Sequence, residues 1–167
     1  MATTNRVALA LGDDVSTDTI YPGRYMATVL PSETPQFAFA DHAEFNARVR
    51  SGQLPPGSVI VAGQNFGCGS SREQAASCLK GPDLVVIARG FARIFLQNAI
   101  NLGLRTIICP EINASEGDEL DITPTEVINL TTGGRSTIVP LPRARQAIVE
   151  AGGLIPYARR LLIAART

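Results

Sequence analysis

The sequence predicts an α/β fold in which a largely parallel sheet, flanked by helices, is followed by a small β-hairpin region. Three runs of β-branched and other apolar residues, at 58–62, 84–88 and 105–109, alternate with segments of helical pattern. This alternation and its spacing imply right-handed crossovers between parallel strands. After residue 118 the pattern changes to polar–apolar alternation, which is typical of antiparallel strands with one buried face.

The elements of the first 110 residues follow from apolar runs, helix formers and turn residues. Gly and Pro mark most of their ends, and a polar loop rich in Asp, Thr, Pro and Gly fills residues 12–24. The predicted elements are, in order, a strand at 7–11, a helix at 40–50, a strand at 58–62, a helix at 71–79, a strand at 84–88, a helix at 91–101 and a strand at 105–109.

The last third of the chain is predicted to begin with short strands. Residues 119–122, 126–130 and 136–139 have strand character, and Gly133-Gly134 supplies a turn between the second and third. Pro142 is expected to open a helix that ends before Gly152-Gly153, and residues 154–165 are expected to form a terminal helix.

Length and composition indicate one globular domain spanning residues 1–167. Apolar residues make up 45% and charged residues 18% of the chain, and the formal net charge is zero. Without a basic stripe, nucleic acid is not an expected partner. No apolar run approaches the ~18 residues that cross a membrane. The first residues lack the pattern of a signal peptide, so we expect a cytoplasmic protein without membrane association.

Cysteine and histidine are too sparse for a self-contained metal site. The three cysteines are Cys68, Cys78 and Cys109, none of them in a Cys-x-x-Cys pair, and His42 is the one histidine. A zinc or iron–sulfur site needs more clustered ligands. We therefore expect this chain to bind no metal, and any metal chemistry to use ligands from another chain.

The segment at 63–74 joins a predicted strand to a predicted helix. It contains the residues best suited to bind an anion and to take part in catalysis. Gly67 and Gly69 permit backbone conformations closed to other residues and allow a ligand to approach closely. Ser70 and Ser71 precede a helix N-terminus, where free N–H groups and the helix dipole favour an anion. Arg72 adds a planar partner for carboxylate or phosphate.

Other interpretations of this segment remain. Ser70-x-x-Glu73 fits a capping box, which is compatible with an anion site. The phosphate-loop pattern is absent because no lysine follows the glycines, and dinucleotide and nucleophile-elbow patterns both require glycine at position 72. A serine-hydrolase triad would depend on His42 alone, which is expected instead on the surface of a helix.

Three motifs resemble one family, the aconitase superfamily, and within it the small subunits of isopropylmalate isomerase and homoaconitase. They occur in the family's order over roughly residues 7–110. They are the Gly-Asp-Asp-Val-Ser-Thr-Asp-Thr-Ile-Tyr-Pro loop at 12–22, Asn-Phe-Gly-Cys-Gly-Ser-Ser-Arg-Glu at 65–73, and Phe-Ala-Arg-Ile-Phe-Leu-Gln-Asn at 91–98. The resemblance implies the swivelling β/β/α domain of the aconitase type.

The resemblance also implies a reaction and roles for residues. A [4Fe–4S] cluster on a larger partner chain binds the substrate, which is dehydrated and rehydrated. Ser70 corresponds to the catalytic base, while Gly69, Ser71 and Arg72 correspond to positions that bind substrate carboxylate. Asp18 corresponds to an aspartate that organises the arginine and serine, although a local Asx-turn is the alternative from the sequence.

Substrate and partner follow from the same resemblance. Met26, Ala27 and Thr28 correspond to a specificity loop that carries an arginine in homoaconitases, and Ala27 replaces it. Because a distal carboxylate without that partner would be desolvated at a cost, an alkyl malate such as isopropylmalate is favoured. Homoaconitase, dimethylmalate or citramalate substrates remain alternatives.

The large subunit is expected to form a heterodimer or heterotetramer with this chain, and a homo-oligomer is possible in isolation. The chain should not act alone on its hydroxy-diacid substrate. A non-catalytic carboxylate-binding module is a further alternative.

Overall fold

The computed structural model describes residues 5–165, and these form one seven-stranded sheet with helices against it. The strands are β1 (Asn5–Ala10), β2 (Val59–Ala62), β3 (Val85–Ala88), β4 (Arg105–Ile108), β5 (Glu119–Ile122), β6 (Glu126–Asn129) and β7 (Arg135–Thr137). The helices are α1 (Thr17–Ile20), α2 (Ala43–Arg50), α3 (Glu73–Lys80), α4 (Arg93–Leu102), α5 (Arg143–Glu150) and α6 (Leu154–Ala164), with short 3-10 turns at Gly23–Tyr25 and Thr34–Phe37.

The sheet has a parallel half and an antiparallel half that meet at β1. Its strand order is β4-β3-β2-β1-β5-β6-β7. Strands β1 to β4 pair in parallel, whereas β5 runs antiparallel to β1 and continues into the β5–β6 and β6–β7 hairpins. The α/β prediction is confirmed, and the predicted hairpin region extends the same sheet.

Past β7 the chain returns to the far edge of the sheet. Val139 N–H donates to the Ile108 carbonyl at 2.8 Å, so the residues after β7 lie against β4 at the opposite end of the strand order. The sheet therefore curls until its two ends nearly meet.

Two hydrophobic clusters occupy the two faces of the sheet. In β3, Val86 belongs to the cluster under α2, α3 and α4, while its neighbours Val85 and Ile87 belong to the other. The first cluster contains the large aromatic side chains, and the second fills the concave side with aliphatic residues such as Leu120 and Val127. Strands β2 and β3 are buried on both faces, as their continuous apolar runs predict.

Several boundaries differ from the sequence prediction for local reasons. The predicted loop at 12–24 contains helix α1, which Ser16 caps by accepting from Thr19 N–H at 3.1 Å. Helix α2 begins at Ala43 rather than residue 40, because the residue before it, His42, has a non-helical ψ of 77°. None of the helices within residues 5–165 has the length and apolar character that crossing a membrane requires.

Candidate functional site

The site is built where the loops after β1 and β2 lie side by side. These strands are parallel neighbours, so their following loops leave from the same end of the sheet. Backbone hydrogen bonds join the loops residue by residue: Gly67 N–H donates to the Val15 carbonyl and Thr17 N–H to the Cys68 carbonyl, both at 2.7 Å. The side chain of Asp13 accepts from Gln64 N–H, also at 2.7 Å. The two loops therefore form one unit.

Two glycines shape the turn, as the sequence predicts. Gly67 has φ 83°, and a Cβ there would overlap the ring of Phe95, which packs directly on the backbone. Gly69 has φ 96° and lies against the Thr17 hydroxyl. Any side chain at Gly67 would push the loop away from α4.

Ser70 hydrogen-bonds a buried threonine of the first loop. The hydroxyl oxygens of Ser70 and Thr17 lie 3.2 Å apart, and either can donate. Thr17 is 2% exposed, whereas Ser70 is exposed. The buried Thr17 hydroxyl therefore orients the accessible Ser70 hydroxyl. The sequence analysis did not single out Thr17, although it lies inside the quoted loop motif.

The predicted capping box at Ser70 and Glu73 is wrong. Helix α3 begins at Glu73 with Arg72 in the N-cap position, and no side chain bonds the free N–H groups there. Arg72 has an extended ψ of 111°, which starts the helix later than the capping box requires. The Ser70 hydroxyl is directed to Thr17 instead.

Arg72 is held by Asp18. One guanidinium nitrogen of Arg72 donates to Asp18 Oδ1 at 2.5 Å and to the Tyr21 carbonyl at 3.4 Å. Gly23 N–H donates to the same aspartate oxygen at 2.9 Å. The hydrogen bond from Arg72, followed by that from Gly23, holds the pKa of Asp18 below its ordinary value. Asp18 is thus a carboxylate that fixes an arginine.

An open cavity of about 320 Å³ collects several of the predicted residues. We call it the Ser70 cavity. Its lining is formed by Met26, Ser70, Ser71, Arg72, Glu73 and Gln74. Asp18, Gly69, Ala27 and Thr28 lie outside this lining.

Only one residue of the predicted specificity loop therefore reaches the Ser70 cavity. Met26 is 39% exposed, while Ala27 is exposed outside it. The Thr28 carbonyl accepts from the Tyr21 hydroxyl at 3.3 Å, which anchors the loop rather than presenting Thr28.

Asn98 is a second residue that the sequence analysis left without a role. It is the asparagine of the third motif, and its side-chain amide donates to the Ser71 carbonyl at 3.3 Å. Helix α4 thereby supports the site twice, through Phe95 under Gly67 and through Asn98 at Ser71.

The remaining candidates lie apart from the site. His42 is exposed at the start of α2 and packs edge-on against Phe45, with ring centroids 6.4 Å apart. Within residues 5–165 it makes no hydrogen bond to either serine, so no catalytic triad is assembled.

The cysteines belong to different surroundings. Cys78 and Cys109 are buried in the two separate hydrophobic clusters, and burial raises the pKa of both thiols. In the described part of the chain, no three metal-binding side chains come together.

Comparisons with known proteins agree on one family. The aconitase C-terminal domain family matches residues 17–111. The 3-isopropylmalate dehydratase small subunit of Methanosarcina acetivorans is 42% identical over 160 residues, covering 93% of this chain and 96% of the relative.

Two further comparisons are with Methanocaldococcus jannaschii. Its isopropylmalate/citramalate isomerase small subunit is 45% identical over 155 residues, 89% of each chain. A crystal structure of 3-isopropylmalate dehydratase from the same organism superposes with a TM-score of 0.86 at 38% identity, covering 98% of this chain and 97% of that one.

Proposed function

The chain belongs to the aconitase C-terminal domain family, and from that premise we propose that it is the small subunit of a heteromeric hydro-lyase for alkyl malates, best described as 3-isopropylmalate dehydratase. The observation that carries the proposal is the Ser70 cavity. An accessible hydroxyl, an arginine fixed by a carboxylate and an apolar Met26 open into one space. Proton abstraction next to a bound carboxylate, in a substrate with an apolar substituent, needs this combination.

Ser70 acts as the base that takes the proton from the carbon next to a carboxylate. A free serine hydroxyl is a weak base, so its environment must stabilise the charged form. Thr17 can donate to the Ser70 oxygen, and both Arg72 and the N-terminal end of α3 supply positive potential. These groups are in place before substrate binds.

Arg72 binds the carboxylate next to the reacting carbon. Its planar guanidinium can offer two parallel N–H donors to a carboxylate. Asp18 and the Tyr21 carbonyl both accept from Nη1, so Nη2 keeps its hydrogen-bonding capacity among residues 5–165 while Arg72 lines the cavity. Asp18 is therefore a positioning residue, and Ser71 completes the polar wall.

The described residues do not fit an iron–sulfur cluster. Cys78 and Cys109 lie in separate hydrophobic clusters, and residues 5–165 bring no three ligands together. The proposal therefore places a [4Fe–4S] cluster on a large subunit, where it would supply the Lewis acid that binds the substrate hydroxyl. The Ser70 cavity is open, so the large subunit would cover it and complete the site.

Met26 and Ala27 support an alkyl substituent on the substrate. Met26 offers the Ser70 cavity a flexible apolar surface, and position 27 carries no cation for a distal carboxylate. Citramalate, with a smaller methyl group, is the second candidate, because a relative 45% identical is an isopropylmalate/citramalate isomerase small subunit.

The test is co-expression with a cluster-bearing large subunit, followed by assay of the complex. Isopropylmalate, citramalate, dimethylmalate and homocitrate are compared through the absorbance of the unsaturated product. We expect the highest kcat/KM with isopropylmalate, little turnover of homocitrate, and none by the isolated chain. Ala27→Arg should raise kcat/KM for homocitrate, with Ala144→Arg at an exposed position of α5 as the control. A reconstituted complex that turns over none of the four malates contradicts the proposal. Carboxylate binding by the isolated chain, lost in Arg72→Ala, would then favour a non-catalytic module.

A further inference from the structure

A second cavity, of about 240 Å³, opens at the carboxyl ends of the parallel strands β1, β2 and β3. We call it the Arg89 cavity. It shares no lining residue with the Ser70 cavity. Its lining includes Asp13, Val61, Gly63, Arg89, Ile112 and Ala114. In α/β sheets, ligands commonly bind outside the carboxyl ends of the strands, so this cavity lies where a ligand site is expected.

The two charged residues of the Arg89 cavity lie on the same face of the sheet. Strands β2 and β3 pair Val61 with Ile87, and both side chains belong to the concave cluster. Two residues further on, Gly63 and Arg89 are level, and the Arg89 N–H donates to the Gly63 carbonyl at 3.1 Å. Because side chains alternate along a strand, both positions face the concave side. A Cβ at Gly63 would collide with Asp13 Oδ1, so the Asp13 carboxylate occupies the side-chain position next to Arg89.

Each of these charges is oriented by a backbone group and keeps one atom free. Arg89 donates from Nε and Nη2 to the Ile112 carbonyl, at 3.3 and 3.2 Å. Asp13 Oδ1 accepts from the Gln64 N–H at 2.7 Å. Among residues 5–165, Nη1 of Arg89 and Oδ2 of Asp13 have no hydrogen-bond partner, and the two side chains form no ion pair with each other. A cation and an anion are therefore held in adjacent positions, each able to bind a further group.

The surface beside the two charges is aliphatic. Val61 and Ile112 are buried in the concave cluster, and Ala114 packs against it. A volume of about 240 Å³ is below the usual range of ligand pockets, which suits a molecule smaller than a drug-sized ligand. The Arg89 cavity thus combines a short apolar surface with two opposite charges.

We propose that the Arg89 cavity binds a small aliphatic α-amino acid. Its carboxylate pairs with Arg89, its ammonium group pairs with Asp13, and its side chain packs on Val61 and Ile112. Neighbouring strands are about 4.8 Å apart, so one small zwitterion can reach both charges. A ligand with a single charge would satisfy one residue and place its charge beside the like charge of the other. This site does not depend on the proposed function, because no residue of the Ser70 cavity takes part in it.

Calorimetric titration of the full-length chain near neutral pH tests the proposal with four probes. Valine is compared with 3-methylbutanoate, which lacks the ammonium group, with 2-methylpropylamine, which lacks the carboxylate, and with glycine, which lacks the side chain. We expect valine to bind saturably and each of the other three to bind at least tenfold more weakly. Absence of saturable valine binding, or equal or tighter binding of any of the other three, would overturn the proposal.

Charge-removing variants locate the binding site. Asp13→Asn keeps an oxygen that can accept from the Gln64 N–H and removes the negative charge, while Arg89→Gln removes the positive charge. Each is expected to weaken valine binding by about tenfold, the size of a charge-assisted hydrogen bond. Glu44→Gln and Arg50→Gln, at exposed positions of α2, are the matched controls and should bind valine like the parent chain.

A third variant tests the apolar part of the site without altering a charge. Ala114→Leu fills the space beside Ile112, so it should weaken valine binding by about tenfold and glycine binding less. Circular dichroism melting checks that each variant folds, and if Asp13→Asn does not fold, Arg89→Gln and Ala114→Leu still decide the outcome. Valine affinity equal to that of the parent chain in the folded variants would show that the amino acid binds elsewhere.

Discussion

Two arginine–aspartate pairs on this molecule have the same chemistry in different surroundings. Arg72–Asp18 and Arg24–Asp41 are each 2.5 Å long, and the aspartates are 66% and 67% exposed. The arginine lowers the pKa of its aspartate in both. Arg24, 51% exposed, lies over the Tyr25 ring, whereas Arg72, 21% exposed, lines the Ser70 cavity.

The comparison shows that an arginine–aspartate ion pair does not by itself identify a functional site. Exposed ion pairs contribute little to stability, because solvent screens the charges and the side chains lose freedom. We therefore expect each pair to contribute little to the stability of the fold. The difference is one of place, because the arginine of the Arg72–Asp18 pair lines a cavity that Ser70 also lines.

The largest effect on activity is expected from removing the hydroxyl that shares the Ser70 cavity with Arg72. Ser70→Ala should lower kcat of the reconstituted complex by about 10³-fold, because proton transfer by a positioned group contributes on that order. Steady-state kinetics measures it, and Ser51→Ala on the far side of α2 is the control. A kcat unchanged in Ser70→Ala would mean that another group is the base.

Exchanging each aspartate for its amide compares the two pairs directly. Asp18→Asn should lower kcat/KM by about 10²-fold, since a small misplacement of a substrate-binding group has effects of that size. Asp41→Asn removes a pair of equal length and should leave kcat/KM unchanged. Equal losses in both variants would assign the effect to general electrostatics rather than to the orientation of Arg72.

A smaller effect is expected from the hydroxyl beneath Ser70. Thr17→Val keeps the buried shape and removes one neutral hydrogen bond, so kcat should fall by about fivefold. Thr19→Val, on the exposed side of α1, serves as the control. If Thr17 only packs the core, thermal stability will change while kcat will not.

The smallest difference between the two ion pairs is expected in the pH dependence of folding stability, where both pairs should have the same effect. Both aspartates have pKa values below the ordinary value of about 4, so each stabilises the fold above that pH. That contribution is lost as the pH falls from about 4 through the lowered pKa. Urea unfolding measures the free energy of unfolding. Below about pH 4 it should fall less steeply in Asp18→Asn and Asp41→Asn than in the parent chain, and equally in the two variants. A decline as steep as that of the parent chain would contradict this.

Much of the fold could be predicted because its signals are local. Continuous apolar runs located β2, β3 and β4, and Gly133 and Gly134 located the hairpin turn between β6 and β7. That β5 pairs with β1 could not be predicted, since these strands are more than 100 residues apart and no local pattern fixes the pairing.

The sequence predicted which residues form the site, but not the contacts that they make with one another. Ser70, Ser71, Arg72 and Met26 do meet in one cavity. The capping box was wrong because Ser70 bonds a partner 53 residues away, which competes with the local bond. Thr17 and Asn98 were missed for the same reason, because their roles are contacts across the chain.

The return of the chain to β4 has a consequence for association. A β4 edge of Arg105–Ile108 left open would present unpaired backbone groups to other strands, which is how sheets add to one another and aggregate. Val139 pairs with Ile108 and is followed by Pro140 and Pro142, which cannot donate backbone hydrogen bonds. The seam thus covers the Ile108 end of the β4 edge, and we expect it to reduce edge-to-edge association while the Ser70 cavity stays open.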